Sequence, residues 1–184
     1  LECPLECAKQ ALRWVQRARR AALMRSRPRT SPPASPGIHW LGPVGTSGYA
    51  VACRAYVDAL GCAFSPLSVH CGDAAAQCPA CSPFPTEQAR AGLLVVHAPP
   101  DRLDTLHGQW CRAADRLWAM TVWETEVLAP SVVAGLNRFE RVLVPSVWNA
   151  ECFRKCGVHR VDVLRHPIVP PPSPPERAQL GIGE

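Results

Sequence analysis

The sequence predicts an α/β fold, a Rossmann-like parallel sheet flanked by helices, and three observations carry that expectation. From Gly37 onward, short apolar runs alternate with helical patterns, the grammar of successive βαβ units. Several of those runs are continuously apolar, as suits strands covered on both faces. Between Thr121 and Pro145 a strand, a Pro-initiated helix and a second strand follow directly, with polar residues kept for the strand ends.

The elements follow in order. Ile38 to Leu41 is the first strand. Tyr49, Ala52, Cys53, Tyr56, Val57 and Leu60 recur at helical spacing, so residues 49–60 form a helix on the sheet, closed by Gly61. Ala63 to Val69 makes a second strand, and a long loop rich in Cys, Pro and Ala runs from His70 to Thr86. Leu93 to His97 is the third strand, Leu103 to Cys111 is helical, and Arg116 to Trp123 is the fourth strand, closing on Glu124. Pro130 opens a helix that buries Val132, Val133 and Leu136, and Arg141 to Val144 is the fifth strand. Ser146 caps a helix that places Trp148, Cys152 and Cys156 on one face and stops at Gly157; Val161 to Leu164 is the sixth strand.

The flanks differ in kind. Residues 1–36 read as a basic, Pro/Ser-rich extension, 37–167 as the Rossmann-like domain, and 168–184 as a Pro-rich linker leading to the start of a second domain. Both ends are expected to be truncated relative to the natural product. Residues 1–37 hold eight of the twenty Lys and Arg but only Glu2 and Glu6 among the fifteen acids, a local balance of +6 that leaves −1 for the rest. The domain is therefore nearly neutral, without basic and aromatic interleaving, and nucleic acid is excluded as its partner. Basic residues 9–29 fit a peripheral membrane contact or an organelle-targeting segment, or else a solvated extension.

Ten cysteines do not make a secreted framework here, because no apolar signal segment is visible and several occupy core-like positions. That favours a reducing compartment, cytoplasmic or peripheral to a membrane. Cys78-Pro-Ala-Cys81 has redox or zinc spacing and Cys152 with Cys156 offers a second pair, but the second pair lies on an apolar helix face, so no metal site is expected.

Chemistry concentrates at two places. The loop Pro43 to Tyr49, PVGTSGY, joins the first strand to the first helix; Gly45 and Gly48 allow close backbone approach, and the helix N-terminus offers N–H groups to an anion. A tight structural turn explains the same glycines, and neither GxGxxG nor a P-loop ending is present. His97 and Glu124 fall at the carboxyl ends of strands, where open α/β sheets bind ligands, and could share acid–base work or simply bond locally.

With these residues in view, the chain from Gly37 to Glu184 resembles the N-terminal domain of GT-B glycosyltransferases of the family 4 (glycosyl transferases group 1) type. The matching pieces are GPVGTSGYAVACRAYVDALG, VVHAPP, TVWETEVLAP, VLVPSVWNAECFRKCGV and VDVLRHPIVP, with ERAQLGIGE similar to the opening of the second domain. The resemblance implies two Rossmann-like domains around a cleft and transfer of a sugar with retention from a nucleotide-diphosphate sugar to an acceptor hydroxyl, with no cofactor or catalytic metal. It implies that Gly45, Ser47, Gly48 and Tyr49 bind near the donor phosphates and that His97 and Glu124 are catalytic, facing the sugar and a glycan, lipid or protein acceptor. The Glu-x7-Glu donor motif of the second domain does not occur before Glu184, so the piece alone is expected to be inactive. A non-catalytic Rossmann-like binding or scaffold module is the alternative, and a nicotinamide oxidoreductase is disfavoured by the missing fingerprint.

Overall fold

A computed structural model describes residues 35–61, 67–71 and 90–167. The described chain is an α/β unit with a six-stranded parallel sheet: β1 (Ser35–Gly42), α1 (Gly48–Gly61), β2 (Leu67–Cys71), β3 (Ala91–His97), a 3₁₀ turn (Pro100–Arg102), α2 (Leu103–Trp110), β4 (Leu117–Met120), α3 (Pro130–Leu136), β5 (Arg141–Val144), α4 (Val147–Lys155) and β6 (Val161–Val163). The spatial order is β2-β1-β3-β4-β5-β6.

Alternation along the strands builds two cores. Leu94 and Val96 of β3 join Ala119, Val142 and Val144 on one face, under Leu103 of α2, Leu136 of α3 and Phe153 of α4. Leu93 and Val95 join Ile38, Trp40, Trp118, Met120 and Leu143 on the other, against Cys53, Tyr56 and Leu60 of α1. Because both faces are covered, the strands need apolar residues at successive positions rather than every second one, which is why β3 and β4 read as unbroken runs. Tyr56 stacks on Trp40 with ring centroids 5.5 Å apart and donates its hydroxyl to the Leu164 carbonyl at 2.6 Å, fastening α1 to the chain beyond β6.

Element existence follows the sequence, and the boundaries shift for physical reasons. β1 begins at Ser35, inside the segment expected as extension, where Ser35 registers with Ala91. β2 runs Leu67–Cys71 beside β1, so His70 and Cys71 are strand rather than loop. β4 stops at Met120, the last residue in register with β3, and Thr121 to Trp123 lie beyond it. Thr121 N–H still donates to the Leu143 carbonyl of β5 at 3.0 Å. In α1 it is Ala50, not Ala52, that is fully buried with Cys53, Tyr56 and Leu60.

Ser146 caps α4 as expected, its Oγ accepting from Asn149 N–H at 3.0 Å, and Gly157 at φ +95° ends that helix in the left-handed region. The buried face of α4, however, carries Asn149, Ala150, Cys152 and Phe153, while Trp148 is 45% exposed. Trp148 sits in the first helical turn, one position off the face that Asn149, Ala150, Cys152 and Phe153 bury. The Cys78–Cys81 pair, residues 1–34 and residues 168–184 lie outside the described residues. No helix among the described residues is long and apolar enough to cross a membrane.

Candidate functional site

The strand order fixes where a ligand can enter. β1 leads through α1 to β2 on one side, whereas β3 lies on the other side of β1, so the connections diverge at the carboxyl ends of β1 and β3, the switch point at which open α/β sheets take ligands. The PVGTSGY loop follows β1 at that point and His97 is the last residue of β3.

Each sequence-predicted residue has a defined place at this edge. Gly45 is exposed with φ +114°, a backbone conformation that favours glycine. Ser47 is the N-cap of α1: its Oγ accepts from Ala50 N–H at 3.2 Å and its carbonyl from Val51 N–H at 2.9 Å. Gly48 opens the helix with ordinary φ, and a Cβ there would meet nothing within 4 Å. Tyr49 turns inward and donates its hydroxyl to the Val122 carbonyl at 2.6 Å, joining the first loop to the loop after β4. Glu124 is exposed in a bend of that second loop rather than at a strand end.

His97 is the most enclosed of the set, 2% exposed. Its ring lies 5.6 Å from that of Tyr49 and 5.9 Å from those of Trp40 and Tyr56, and its Nδ1 is buried with no hydrogen-bond partner. Desolvation first, and the nearby His166 second, push its pKa from 6.5 to about 3. The imidazole is therefore neutral at physiological pH and offers this site a hydrogen-bonding group rather than a proton. Tyr49 titrates above the usual phenol value because it is buried, while its bond to Val122 acts the other way; the Asp101 and Glu124 carboxylates add to the rise.

The structure thus brings Gly45, Ser47, Gly48, Tyr49 and His97 to one end of β1 and β3, with Glu124 near enough to Tyr49 to act on its hydroxyl. Thr121, Asp101 and Asn149 join them without having been singled out in the sequence. Thr121, wholly buried, places its hydroxyl beside that of Tyr49 without meeting hydrogen-bond geometry. Asp101 is in the 3₁₀ turn directly after Pro99 and Pro100. Asn149, 3% exposed, donates from Nδ2 to the Trp123 carbonyl at 2.6 Å. At the other end of α4 the Cys156 thiol donates to the Glu126 carbonyl at 3.3 Å and accepts from Leu128 N–H at 3.4 Å. The loop carrying Glu124 is accordingly fastened to α4 at both ends. A polar residue inside an apolar run was the available signal for Thr121; nothing local in the sequence marks Asn149, whose partner is 26 residues away.

Among the described residues no group of three or more His, Cys, Asp or Glu is placed to hold a metal ion. The arrangement provides an exposed helix N-terminus for an anion, a neutral buried imidazole, and carboxylates that can accept hydrogen bonds from hydroxyls. No family model matches the chain, and no curated protein or solved structure matches it.

Proposed function

We propose that this unit is the acceptor-side half of a GT-B glycosyltransferase of the family 4 type, which moves a sugar from a nucleotide-diphosphate sugar to an acceptor hydroxyl with retention. One observation carries the reading: the Gly45–Gly48 loop, His97 and the Glu124 loop meet at the single switch point of a parallel sheet, with Tyr49 bridging the two loops. In the reaction the acceptor oxygen bonds to the anomeric carbon, the bond from that carbon to the diphosphate breaks, and the acceptor proton passes to the departing phosphate oxygen. The N-terminus of α1 stabilises the charge growing on the diphosphate. His97, neutral and held in place by three aromatic rings, orients a sugar hydroxyl, and Glu124 accepts a hydrogen bond from the acceptor. Donor binding is completed by a second domain.

Gly48→Asp tests this directly. Space around Gly48 is open and its φ is ordinary, so the variant folds, and a carboxylate at a helix N-terminus does not destabilise it. The same charge repels a diphosphate. In the protein that carries the second domain, calorimetric titration with a uridine-diphosphate sugar is expected to show at least roughly tenfold weaker binding for Gly48→Asp and unchanged binding for Gly48→Ala, with thermal midpoints alike. Equal binding by wild type and Gly48→Asp would remove the loop from the donor site. The alternative, a non-catalytic binding module, draws on the burial of His97 and the commitment of the Ser47 hydroxyl to capping, and it forecasts no nucleotide-sugar binding at all.

A further inference from the structure

Three aromatic rings surround His97, those of Trp40 and Tyr56 at 5.9 Å and that of Tyr49 at 5.6 Å. They differ in one respect. Trp40 and Tyr56 are core residues stacked on each other, 1% and 2% exposed, whereas Tyr49 is half-buried and follows directly on the exposed residues 44–48. Of the three rings, only that of Tyr49 stands between His97 and water.

Two polar side chains lie against Tyr49 from the inner side. His97 ends β3 in register with Met120, and Thr121 follows Met120 directly, with its hydroxyl beside that of Tyr49 but outside hydrogen-bond geometry. His97 Nδ1 and Thr121 Oγ1 are both buried without a hydrogen-bond partner among the described residues. A polar group in that position has given up its water and received no bond in exchange. Water entering behind a displaced ring restores the bond, so the closed arrangement is one that opening relieves.

The tether on Tyr49 is local. Its hydroxyl donates to the Val122 carbonyl at 2.6 Å and lies 3.4 Å from the Val122 N–H. A Cβ at Gly48, the residue before it, would meet nothing within 4 Å, and Gly45 of the same loop takes φ +114°. The loop after β4 has ties of its own to α4, from Asn149 Nδ2 to the Trp123 carbonyl and from the Cys156 thiol to the Glu126 carbonyl. Outward movement of the Tyr49 ring therefore breaks its contact with Val122 and leaves that loop fastened.

We infer that Tyr49 is a gate: its ring closes off His97 and Thr121, and rotation of this one side chain admits a hydroxyl, of water or of a ligand, to both groups. The inference goes beyond the glycosyltransferase reading and does not rest on it, since it concerns access to His97 whatever the ligand.

Diethyl pyrocarbonate, which acylates a neutral imidazole that it can reach, tests the gate in the full chain at neutral pH. Acylation of His97 is followed by peptide mass spectrometry, with the exposed His159 as internal reference. Wild-type His97 should react slowly, at a rate that low urea leaves unchanged, as suits a local opening rather than global unfolding. Tyr49→Ala should react at least roughly tenfold faster, and Tyr49→Phe, which keeps the ring and loses the tether, roughly three- to tenfold faster. Tyr56→Phe also loses a 2.6 Å hydroxyl bond but keeps the inner wall, and should leave the His97 rate unchanged. Equal rates in wild type and Tyr49→Ala, the same acceleration in Tyr56→Phe, or a wild-type rate that climbs with urea in step with global unfolding would each overturn the inference. Should Tyr49→Ala fail to fold, Tyr49→Phe and the urea series decide by themselves.

Discussion

Acid should destabilise this unit through one residue, His97, by an amount that its burial sets. The imidazole is neutral in the native state down to a pKa of about 3, whereas in the unfolded chain it takes a proton near 6.5. Between those values the unfolded state binds more protons, so stability is full above about pH 6.5 and falls as the pH drops toward 3. At pH 4.5 the loss from His97 alone is about 3 kcal/mol, and by pH 3 it is about 4 kcal/mol. Other groups titrate in the same window, among them His166, whose pKa burial also lowers and which bears directly on His97. A comparison across variant and pH cancels those that do not touch His97, and repeating it in a His166→Gln background removes the coupled neighbour. Urea unfolding followed by far-ultraviolet circular dichroism at pH 7 and pH 4.5 gives the drop for wild type and for His97→Gln, which keeps a polar group of similar reach but cannot titrate. The wild-type drop should exceed that of His97→Gln by about 3 kcal/mol. An identical drop in both proteins, or a ¹⁵N imidazole resonance of His97 that shifts to the protonated form near pH 6, would refute the reasoning.

Three further outcomes follow from packing. Gly42→Ala drives a Cβ into Cys53 Sγ, and should cost about 1–3 kcal/mol that Cys53→Ala partly restores, so a strictly additive double variant in urea unfolding would argue against the contact. Tyr56→Phe removes a buried hydroxyl from the Leu164 carbonyl and should cost about 1–2 kcal/mol by the same measurement, with unchanged stability counting against that tie. Asn149→Ala strands the Trp123 carbonyl, at a cost of about 1–3 kcal/mol, and should speed proteolytic cleavage within residues 121–129; protection equal to wild type would show that the loop is held otherwise.

The α/β class and every described strand were legible in the sequence because parallel strands buried on both faces announce themselves as apolar runs. Their ends were harder. β4 was read through Trp123 because Val122 and Trp123 continue the apolar pattern, yet pairing with β3 stops at Met120 and the chain leaves the sheet to follow Asn149. Trp148 was placed on one face with Cys152 and Cys156, but the buried face of α4 runs through Asn149, Ala150, Cys152 and Phe153, so the smaller Asn149 is buried in its place. Of the candidate site, the loop glycines, His97 and Thr121 carried local signals; Asn149 depends on a contact across 26 residues, and the Tyr49 tie to Val122 on one across 73, which no window reveals.

The two ends of the sheet divide the work of the unit. Charge at the amino ends is spent in pairs: Arg116 grips Glu140 through both carboxylate oxygens while its guanidinium lies 5.2 Å from the Trp118 ring, and Arg141 reaches Asp162 at 2.6 Å. Such geometry stabilises without inviting a ligand. At the carboxyl ends charges of both signs stand without such pairing, Asp101, Glu124 and Glu126 having no ion pair among the described residues and Arg54 reaching the Gly45 carbonyl, beside a histidine kept neutral by burial and exposed valines and a tryptophan. Folding alone does not require that asymmetry, since paired charges and smaller side chains would serve the carboxyl edge equally well for stability. Strain-tolerant Gly45 and the inward Tyr49 sit at the same edge. That these groups collect beside the β1–β3 switch point, where open α/β sheets take ligands, is what supports the proposed site.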